Sequence, residues 1–289
     1  MQPVDQETIF YKYSRGKWQP LCSKVISEAG VTLTVNGDVW LSFMCTPSDL
    51  EALAVGFLFN EKIIQSRAEI ASVHVCASGD NVDVWLDHAV EKPVQWQRTS
   101  GCGTGMTRTD ADHPVSRPVS AMRISPDDLL NCMDLLVRSQ TVYHEARGIH
   151  SSALSNGRRI FFQVEDIGRH NTLDKLAGFL VLEPVAISPF IILTTGRVSS
   201  EMLNKSARIG ADVVLSRTSP TTRSIQQADL SGITLIGYAR RTELYVYSHP
   251  ERLLSPEGVG LTSQPAALYE EIPLLPGNPG EPGRPAPAA

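Results

Sequence analysis

The residue with the clearest potential for chemistry is Cys102, which lies between two glycines in the run RTSGCGTG, residues 98–105. A structural cysteine usually packs among apolar side chains, but no apolar residue lies within three positions of Cys102. Flanking glycines let another molecule approach the backbone, and bare amides can hold an anion, which favours a thiolate. Taken alone, the motif predicts either a reactive thiol or a tight turn with an incidental cysteine.

Three loops that follow predicted strands each combine an arginine with glycine or small hydroxyl residues. These loops are residues 165–171, 194–197 and 216–219, and their arginines are Arg169, Arg197 and Arg217. Ligands of open α/β sheets bind at the carboxyl ends of strands, where helix N-termini and guanidinium groups suit phosphate oxygens. Arg223, Arg240 and Arg241 lie close in sequence to the same edge. In an acidic chain, such a local cluster favours a phosphate-bearing ligand.

Two histidines and one aspartate near these loops have alternative explanations. His150 and His170 could each be catalytic or bind a metal, but a lone histidine is more commonly a hydrogen-bonded structural residue. Asp166 could equally cap the following helix or bind a ligand. The sequence alone leaves these roles open.

The cysteines argue against a metal centre. Their positions are Cys22, Cys45, Cys76, Cys102 and Cys132. This is an odd number without a C-x-x-C pair, which fits neither a disulfide framework nor a zinc ribbon. No cysteine follows Cys132, so the His plus Cys-x-x-Cys site of a zinc deaminase cannot form. We therefore expect no metal site and no zinc.

The composition limits the kinds of partner that the chain can have. It has 289 residues, a net charge of −5 and 42% hydrophobic residues, which is ordinary for a globular protein of one or two domains. The acidic balance argues against nucleic-acid binding, and no apolar run approaches the roughly 20 residues that span a bilayer. The first residues also lack the apolar core of a signal peptide. We expect a cytoplasmic protein with no nucleic-acid and no membrane partner.

The first half of the chain has the pattern of a small α+β unit. Alternating apolar residues on both sides of Asn36-Gly37 predict a hairpin with a type I′ turn within residues 25–45. The sequence SDLE at residues 48–51 predicts a capping box before a helix at 53–59. A second hairpin is predicted at 72–86. The polar, proline-containing stretch 107–123 is typical of a linker.

The second half alternates strands and helices. Ser125 and Pro126 predict the start of a helix, and residues 148–155 and 158–165 predict a hairpin. Further strands are predicted at 190–195, 212–217, 233–238 and 244–247, and helices at 170–182, 200–209 and 220–230. This alternation is typical of a largely parallel sheet covered by helices. The residues after 254 are rich in proline and glycine and predict a disordered tail.

Long stretches of the chain match a known family in the same order. They are VNGDVW, TPSDLEALAVGFLFNEKII, RTSGCG, VEDIGRHNTLDKL, TTGRVSSEMLNKSARIGA and GITLIGYARRTELYVYSHPERL. Together they closely resemble the FdhD family, the formate dehydrogenase accessory sulfurtransferases. The resemblance covers roughly residues 25–254 and is far more specific than any single motif.

The resemblance implies a function for several residues. The family takes sulfur from a cysteine desulfurase as a cysteine persulfide and passes it to the molybdenum cofactor, bis-molybdopterin guanine dinucleotide, which formate dehydrogenase requires. Its persulfide cysteine corresponds to Cys102. Its cofactor-binding stretch corresponds to Ala239, Arg240, Arg241, Thr242, Glu243 and Leu244. From their positions at strand ends, we add Arg169, His170, Arg197 and Arg217 as cofactor-binding residues.

The resemblance also implies the architecture. We expect an α/β protein, α+β overall, whose second domain is a three-layer α/β domain like cytidine deaminase without its zinc chemistry. The predicted segments are an N-terminal extension at 1–24, a small α+β domain at 25–121 ending in the Cys102 loop, the deaminase-like domain at 122–254 and the tail at 255–289. A homodimer is a reasonable expectation for such a scaffold.

The chain departs from the family at one position. Members commonly carry C-G-x-C-G, but Gly105 occupies the position of the second cysteine. A single cysteine can still accept and donate sulfur, so the first hypothesis is a sulfurtransferase that uses Cys102. The second is a non-catalytic chaperone that binds the molybdenum cofactor. A third, weaker hypothesis is a hydrolase with Cys102 as nucleophile and a histidine such as His170 as base.

Overall fold

The computed structural model describes residues 2–93, 96–98, 106–108, 123–188 and 190–255. The strands in these residues are β1 (Asp5–Ser14), β2 (Lys17–Ile26), β3 (Ala29–Val35), β4 (Asp38–Cys45), β5 (Ile70–Val75), β6 (Asn81–Leu86), β7 (Trp96–Arg98), β8 (Met106–Arg108), β9 (His150–Ser155), β10 (Ile160–Asp166), β11 (Ile191–Thr194), β12 (Val213–Ser216), β13 (Thr234–Arg240) and β14 (Glu243–Val246). The helices are α1 (Leu50–Asn60), α2 (Pro126–Arg138), α3 (Val142–Ala146), α4 (Arg169–Leu182), α5 (Ser200–Ile209) and α6 (Thr222–Leu230). The mixed α and β fold predicted from the sequence is confirmed.

The larger sheet has six strands in the order β10-β9-β11-β12-β13-β14. Strands β11, β12 and β13 are parallel, and β9 is antiparallel to both β10 and β11, so β10 points the same way as β11. One face packs against α4, α5 and α6 through side chains such as Leu173, Met202 and Ala228. The other face packs against α2 through Leu129, Met133 and neighbours. The sheet is therefore the middle layer of three, as the alternation of strands and helices predicts.

The smaller sheet has the order β4-β3-β6-β5 and packs one face on α1. Asn36 and Gly37 both have positive φ angles, 50° and 89°, as a type I′ turn requires. Val31, Leu33 and Val35 of β3 are buried, so the alternation that predicted this hairpin reflects one core-facing side. The hairpin predicted at 72–86 is also present, as β5 and β6.

The capping box predicted at residues 48–51 is wrong. The residue before α1 is Asp49, whose φ of 52° is left-handed and whose side chain caps no amide of the helix. The hydroxyl of Ser48 instead accepts a hydrogen bond from Nζ of Lys175 at 3.3 Å. Lys175, which is 127 residues away in sequence, therefore binds the hydroxyl oxygen that a capping box would use to cap the helix.

Helices α1 and α4 cross with their backbones almost in contact. A methyl group at Gly56 would lie 1.7 Å from the carbonyl oxygen of Asp174, and one at Gly178 would lie 1.9 Å from that of Ala52. No side chain larger than hydrogen fits at either position without moving a helix. Because α1 carries the smaller sheet and α4 the larger one, this crossing fixes the two sheets relative to each other.

The first strands form a separate two-stranded hairpin. β1 pairs with β2 in an unbroken antiparallel register from Asp5 with Ile26 to Ser14 with Lys17. This hairpin contains most of the predicted N-terminal extension, residues 1–24. At its base, Lys24 forms ion pairs with Asp5 and with Glu145 of α3.

In the second half, the predicted helices and strands agree with α4, α5, α6 and β9 to β14 within two residues at most ends. Ser125 is the N-cap of α2, and its hydroxyl accepts a hydrogen bond from the amide of Asp127 at 3.2 Å. Most of the predicted linker and nearly all of the predicted tail lie outside the described residues. No helix in the described part of the chain is long and apolar enough to cross a membrane.

We predict that Gly56→Ala and Gly178→Ala each destabilise the protein by about 3 kcal/mol, because the added methyl group must push one helix backbone from the other. Gly30→Ala is the matched control, since its nearest neighbour is Sδ of Met44 at 3.7 Å, an ordinary contact. Chemical denaturation of the three variants measures the effect. A Gly56→Ala variant as stable as Gly30→Ala would contradict the close crossing.

Candidate functional site

The carboxyl ends of four strands meet at one edge of the larger sheet. β10, β11, β12 and β13 point in the same direction, and β9 begins at this edge because His150 pairs with Asp166. The loops 165–171, 194–197 and 216–219, each predicted to lie at a strand end, therefore share this edge. We call it the carboxyl edge.

A buried histidine lies on the side of this edge that faces α4 and α5. Nε2 of His170 is 3.4 Å from Oγ of Ser199, the N-cap of α5, and 4.0 Å from Oε2 of Glu201. Its Nδ1 is buried and has no hydrogen-bond partner in the described part of the chain. The loop before α5 also lies close to the start of α4, because a methyl group at Gly196 would lie 3.0 Å from Cβ of Arg169.

Both histidines at this edge are held neutral. Burial, followed by the charges of Lys205 and Arg169, lowers the pKa of His170 to about 2. Burial and the charge of Arg169 likewise lower the pKa of His150. A histidine with so low a pKa is a poor general base at neutral pH, which weighs against the hydrolase hypothesis.

Asp166 is a structural residue. It has no exposed surface, and its Oδ1 accepts hydrogen bonds from the amide of Gly168 and from Nδ2 of Asn171, each at 2.8 Å. Its Oδ2 lies 2.8 Å from Nζ of Lys175 and accepts a hydrogen bond from the amide of Thr46 at 3.2 Å. Its oxygens join the loop before α4 to the end of β4, and the contact with the amide of Gly168, the N-cap of α4, is close to the predicted role as a cap of that helix.

A second buried ion pair lies deeper under the same helix. Both carboxylate oxygens of Asp174 are 2.6 Å from Nζ of Lys205, and Oδ1 also accepts a hydrogen bond from Nδ2 of Asn60 at 2.8 Å. Burial raises the pKa of Asp174, and Lys205 opposes that shift. This pair joins α1, α4 and α5 beneath His170.

On the other side of the sheet, the carboxyl edge opens into a cleft of about 830 Å³. One wall is α2, with Asn131, Asp134 and Arg138, and the other is formed by Arg217 and residues 239–243. Nε of Arg240 donates a hydrogen bond to the carbonyl oxygen of Arg217 at 2.9 Å, so the two loops are tied together. The Arg138 guanidinium is paired with Asp134 at 2.7 Å.

The predicted cofactor-binding residues therefore fall into two groups. The cleft contains Arg217, Ala239, Arg240, Arg241, Thr242 and Glu243. Leu244 is half-buried against the core on the α2 face of the sheet. Arg169 and His170 lie on the α4 side, and the charge of Arg197 acts on the His150 ring there. The backbone at Arg241 has a φ of 53°, a left-handed conformation that turns β13 into β14 at the cleft wall.

Cys102 lies outside the described residues. The strands on either side of its segment, β7 and β8, pair antiparallel, with Arg98 opposite Met106. Among the four described cysteines, burial raises the pKa of Cys45 to about 12 and also raises that of Cys132. Neither can supply a thiolate near neutral pH. Cys22 is exposed and Cys76 half-exposed, and both are free thiols.

Several features of this edge have weak or no signals in the sequence. Helix α2, one wall of the cleft, is amphipathic, but no pattern in its own sequence indicates which of its residues face residues 239–243. Lys175 and Lys205 are buried lysines, a placement that sequence patterns assign to apolar residues. Within the described residues, no group of three or more histidine, cysteine or acidic side chains is placed to hold a metal ion.

The sequence model of the FdhD/NarQ family matches residues 26–254. The chain belongs to the FdhD/NarQ family. It is 34% identical over 252 residues to the sulfur carrier protein FdhD of Staphylococcus aureus strain MRSA252, covering 85% of this chain and 95% of that protein. The FdhD protein of the bovine strain RF122 / ET3-1 is 33% identical over the same length and the same shares of the two chains.

The fold agrees with that of a solved structure. A formate dehydrogenase accessory protein from Desulfotalea psychrophila superposes with a TM-score of 0.75 at 29% identity, covering 87% of this chain and all of that one. The FdhD/NarQ match begins at residue 26, where β2 ends, and finishes at residue 254. It therefore includes both walls of the cleft and both buried ion pairs.

We predict that Lys205→Met destabilises the protein by about 3 kcal/mol, because it leaves the Asp174 carboxylate buried without its cation. With Lys205 removed, the strongest opposition to the effect of burial on the Asp174 pKa is lost, so the folded state binds a proton more tightly than the unfolded state. The loss is therefore largest at neutral and alkaline pH and shrinks as the pH falls through the folded pKa.

Urea denaturation as a function of pH measures this loss. The double variant Lys205→Met/Asp174→Asn recovers part of the stability at neutral pH, because no charge is left to bury. Lys24→Met, which breaks the two ion pairs of a partly exposed lysine with Asp5 and Glu145, is the control and changes little. A Lys205→Met deficit that is independent of pH would contradict the assignment.

Proposed function

We propose that this chain is a sulfurtransferase that carries sulfur as a persulfide on Cys102 and delivers it to the molybdenum cofactor, bis-molybdopterin guanine dinucleotide, for formate dehydrogenase. The proposed donor is a cysteine desulfurase, and the proposed compartment is the cytoplasm. The cofactor is the cargo of the reaction and is not a resident group of this protein. Membership of the FdhD/NarQ family supports the sulfur-carrier role, since its relatives in Staphylococcus aureus bear that name.

The observation that carries the proposal is the cleft at the carboxyl edge. Arg217, Arg240 and Arg241 line it together, and it is wide enough for a nucleotide-sized group. Guanidinium groups bind phosphate oxygens with two parallel hydrogen bonds, so this wall suits the pyrophosphate of a guanine dinucleotide. His170 lies buried on the opposite, α4 side of the sheet, so the proposal places the phosphates of the cargo in the cleft.

The transfer from the donor keeps the oxidation state of sulfur. The Cys102 thiolate attacks the outer sulfur of the donor persulfide, a new S–S bond forms at Cys102, and the donor cysteine leaves as a thiolate. Glycine has no side chain, so the residues on both sides of Cys102 add none that would hinder two large partners in turn.

The transfer to the cargo needs two electrons. The outer persulfide sulfur leaves as sulfide, so the S–S bond breaks, Cys102 is released as a thiolate, and two electrons must enter. Gly105 stands where a second thiol would be, so the loop has no neighbouring cysteine to supply them. We propose that the molybdenum of the cargo supplies both electrons. It is Mo(IV) when it accepts the sulfur and becomes Mo(VI) as the sulfido ligand forms.

We predict that incubation with a cysteine desulfurase and cysteine adds one sulfur atom to Cys102, because its thiol is the one with a glycine on each side. Intact and peptide mass spectrometry measure the adduct. Cys102→Ser should abolish it and also abolish the support of formate dehydrogenase activity. Cys22→Ser and Cys76→Ser are the controls, since both remove accessible thiols elsewhere in the chain.

The same assay distinguishes the sulfurtransferase from the alternative function, a non-catalytic chaperone for the molybdenum cofactor. The absence of a second cysteine near Cys102 favours that alternative. A chaperone predicts no sulfur adduct and full formate dehydrogenase activity with Cys102→Ser. Either result would overturn the sulfurtransferase proposal.

We predict that Arg240→Ala and Arg241→Ala each weaken the binding of guanosine diphosphate by about tenfold, because each removes a charged contact to phosphate. Added salt should weaken wild-type binding more than that of either variant. Arg158→Ala is the control, since Arg158 is exposed in the turn before β10, at the opposite end of the sheet. Calorimetry measures the affinities, and equal losses in all three variants would contradict the cleft as the site.

A further inference from the structure

Helices α1 and α4 leave a groove between their ends, beyond their close crossing. One end of the crossing is at Gly178, where an added methyl group would lie 1.9 Å from the carbonyl oxygen of Ala52. Past this contact, the first turn of α1 and the last turn of α4 form two walls of a cavity of about 540 Å³. Residues 75–77, at the end of β5, form the third wall. We call this cavity the helix-end groove.

Most of the residues that line the helix-end groove are apolar. They are Leu50, Ala52, Val75, Ala77, Phe179 and Leu182. Leu182 packs on the core of the smaller sheet, and Phe179 packs on the core of the larger one. Because its lining belongs to two packed cores, the groove is formed before any ligand binds, as apolar binding sites commonly are.

The rim of the helix-end groove is acidic. Its charged residues are Asp49, Glu51 and Glu183, which are all exposed. In the described part of the chain, none of the three carboxylates forms an ion pair, and the Asp49 side chain caps no amide of α1. Helix α4 ends here without a basic residue in its last turn, so its own side chains do not offset the partial negative charge of the helix end.

This chain has no suitable cation for the rim in its neighbouring segments. The described residues that line the groove include no lysine or arginine. Lys175, which contacts Ser48 just before α1, is fully buried, and Nζ lies 2.8 Å from Asp166. The residues after Ser255 carry four glutamates and one arginine, Arg284, so an acidic rim repels that segment. The charges therefore favour a cationic partner from outside the chain.

We propose that the helix-end groove binds an amphipathic helix of a partner protein. Large aliphatic side chains of that helix fill the apolar groove, and lysine or arginine residues beside them face the acidic rim. A helix suits this surface because its side chains three or four positions apart share one face. The rim carboxylates lie on both α1 and α4, so cations on both flanks of an apolar stripe meet them, which one small cation cannot do.

The helix-end groove is separate from the cleft at the carboxyl edge. Helix α4 begins at that edge with Arg169 and ends at the groove with Leu182. Its 14 residues span about 20 Å. A partner bound at the groove therefore leaves the cleft open to its own ligand.

The thiol of Cys76 reports directly on the groove, because it lines the groove, is half-exposed and is free. The probe is a synthetic peptide of about 15 residues, long enough to form a helix, with leucines along one face and lysines on both flanks. Bound peptide should slow the alkylation of Cys76 by iodoacetamide about tenfold and leave that of the exposed Cys22 unchanged. Peptide mass spectrometry measures both rates in the full chain.

Reversal of the rim charges tests the recognition. Glu51→Lys/Glu183→Lys should weaken binding of the lysine peptide by about tenfold and should bind a peptide with glutamates in place of the lysines more tightly than the wild type does. Asp38→Lys/Glu91→Lys is the matched control and should bind the lysine peptide as the wild type does. Asp38 follows the turn between β3 and β4, and Glu91 precedes a lysine that binds the carbonyl oxygen of Val39, so both lie at the opposite end of β4 from α1. Thermal unfolding checks that the variants are folded.

Four results would overturn the proposal. The first is alkylation of Cys76 that the lysine peptide does not slow. The second is equal affinity of the rim variant and its control for that peptide. The third is equal protection by a peptide of the same composition without an apolar face, or by hexylammonium, which would indicate a site for any cation or for a small ligand.

The fourth is protection of Cys76 that increases with protein concentration in the absence of peptide, which would mean that a second copy of the chain covers the groove. Sulfur loading of Cys102 is measured separately, so these results do not depend on the proposed function.

Discussion

The close crossing of α1 and α4 is the contact on which the rest of the structure depends. It joins the two sheets through backbone atoms at Gly56 and Gly178, where side chains cannot adjust. Close packing of this kind brings Asn60 to Asp174 and Thr46 to Asp166, which gives both buried carboxylates hydrogen bonds from the smaller unit. Since α4 begins at the carboxyl edge, the position of Arg169 and His170 follows from the same crossing.

The local elements could be predicted from the sequence because their causes are local. Helix α5 has the predicted bounds, since Ser199 caps its first turn and Gly210, with a φ of 109°, ends it. The hairpin at Asn36-Gly37 is specified by two residues that tolerate positive φ and by alternation in the flanking strands. The capping box at Ser48 failed for the opposite reason, because Lys175, distant in sequence, takes the hydroxyl.

The candidate site could be predicted only in part. Parallel strands place their carboxyl ends at one edge, so the positions of the predicted strands are enough to place the arginine-bearing loops together. Those positions do not determine which face of the sheet each side chain occupies. Arg217 and Arg240 share a cleft with α2, whereas Arg169 and His170 lie across the sheet beside α5. The wall that α2 supplies depends on packing between residues about a hundred positions apart, which no local pattern encodes.

The side chains that carry positive charge at the carboxyl edge determine how ligand binding there depends on salt and pH. Burial and neighbouring cations keep His150 and His170 neutral, so the positive charge there comes from arginines, which stay protonated at any physiological pH. A ligand held by these groups is therefore sensitive to salt and insensitive to pH. Under the proposed function, an anionic cargo would stay bound at this edge over the range of pH in which the thiol of Cys102 titrates.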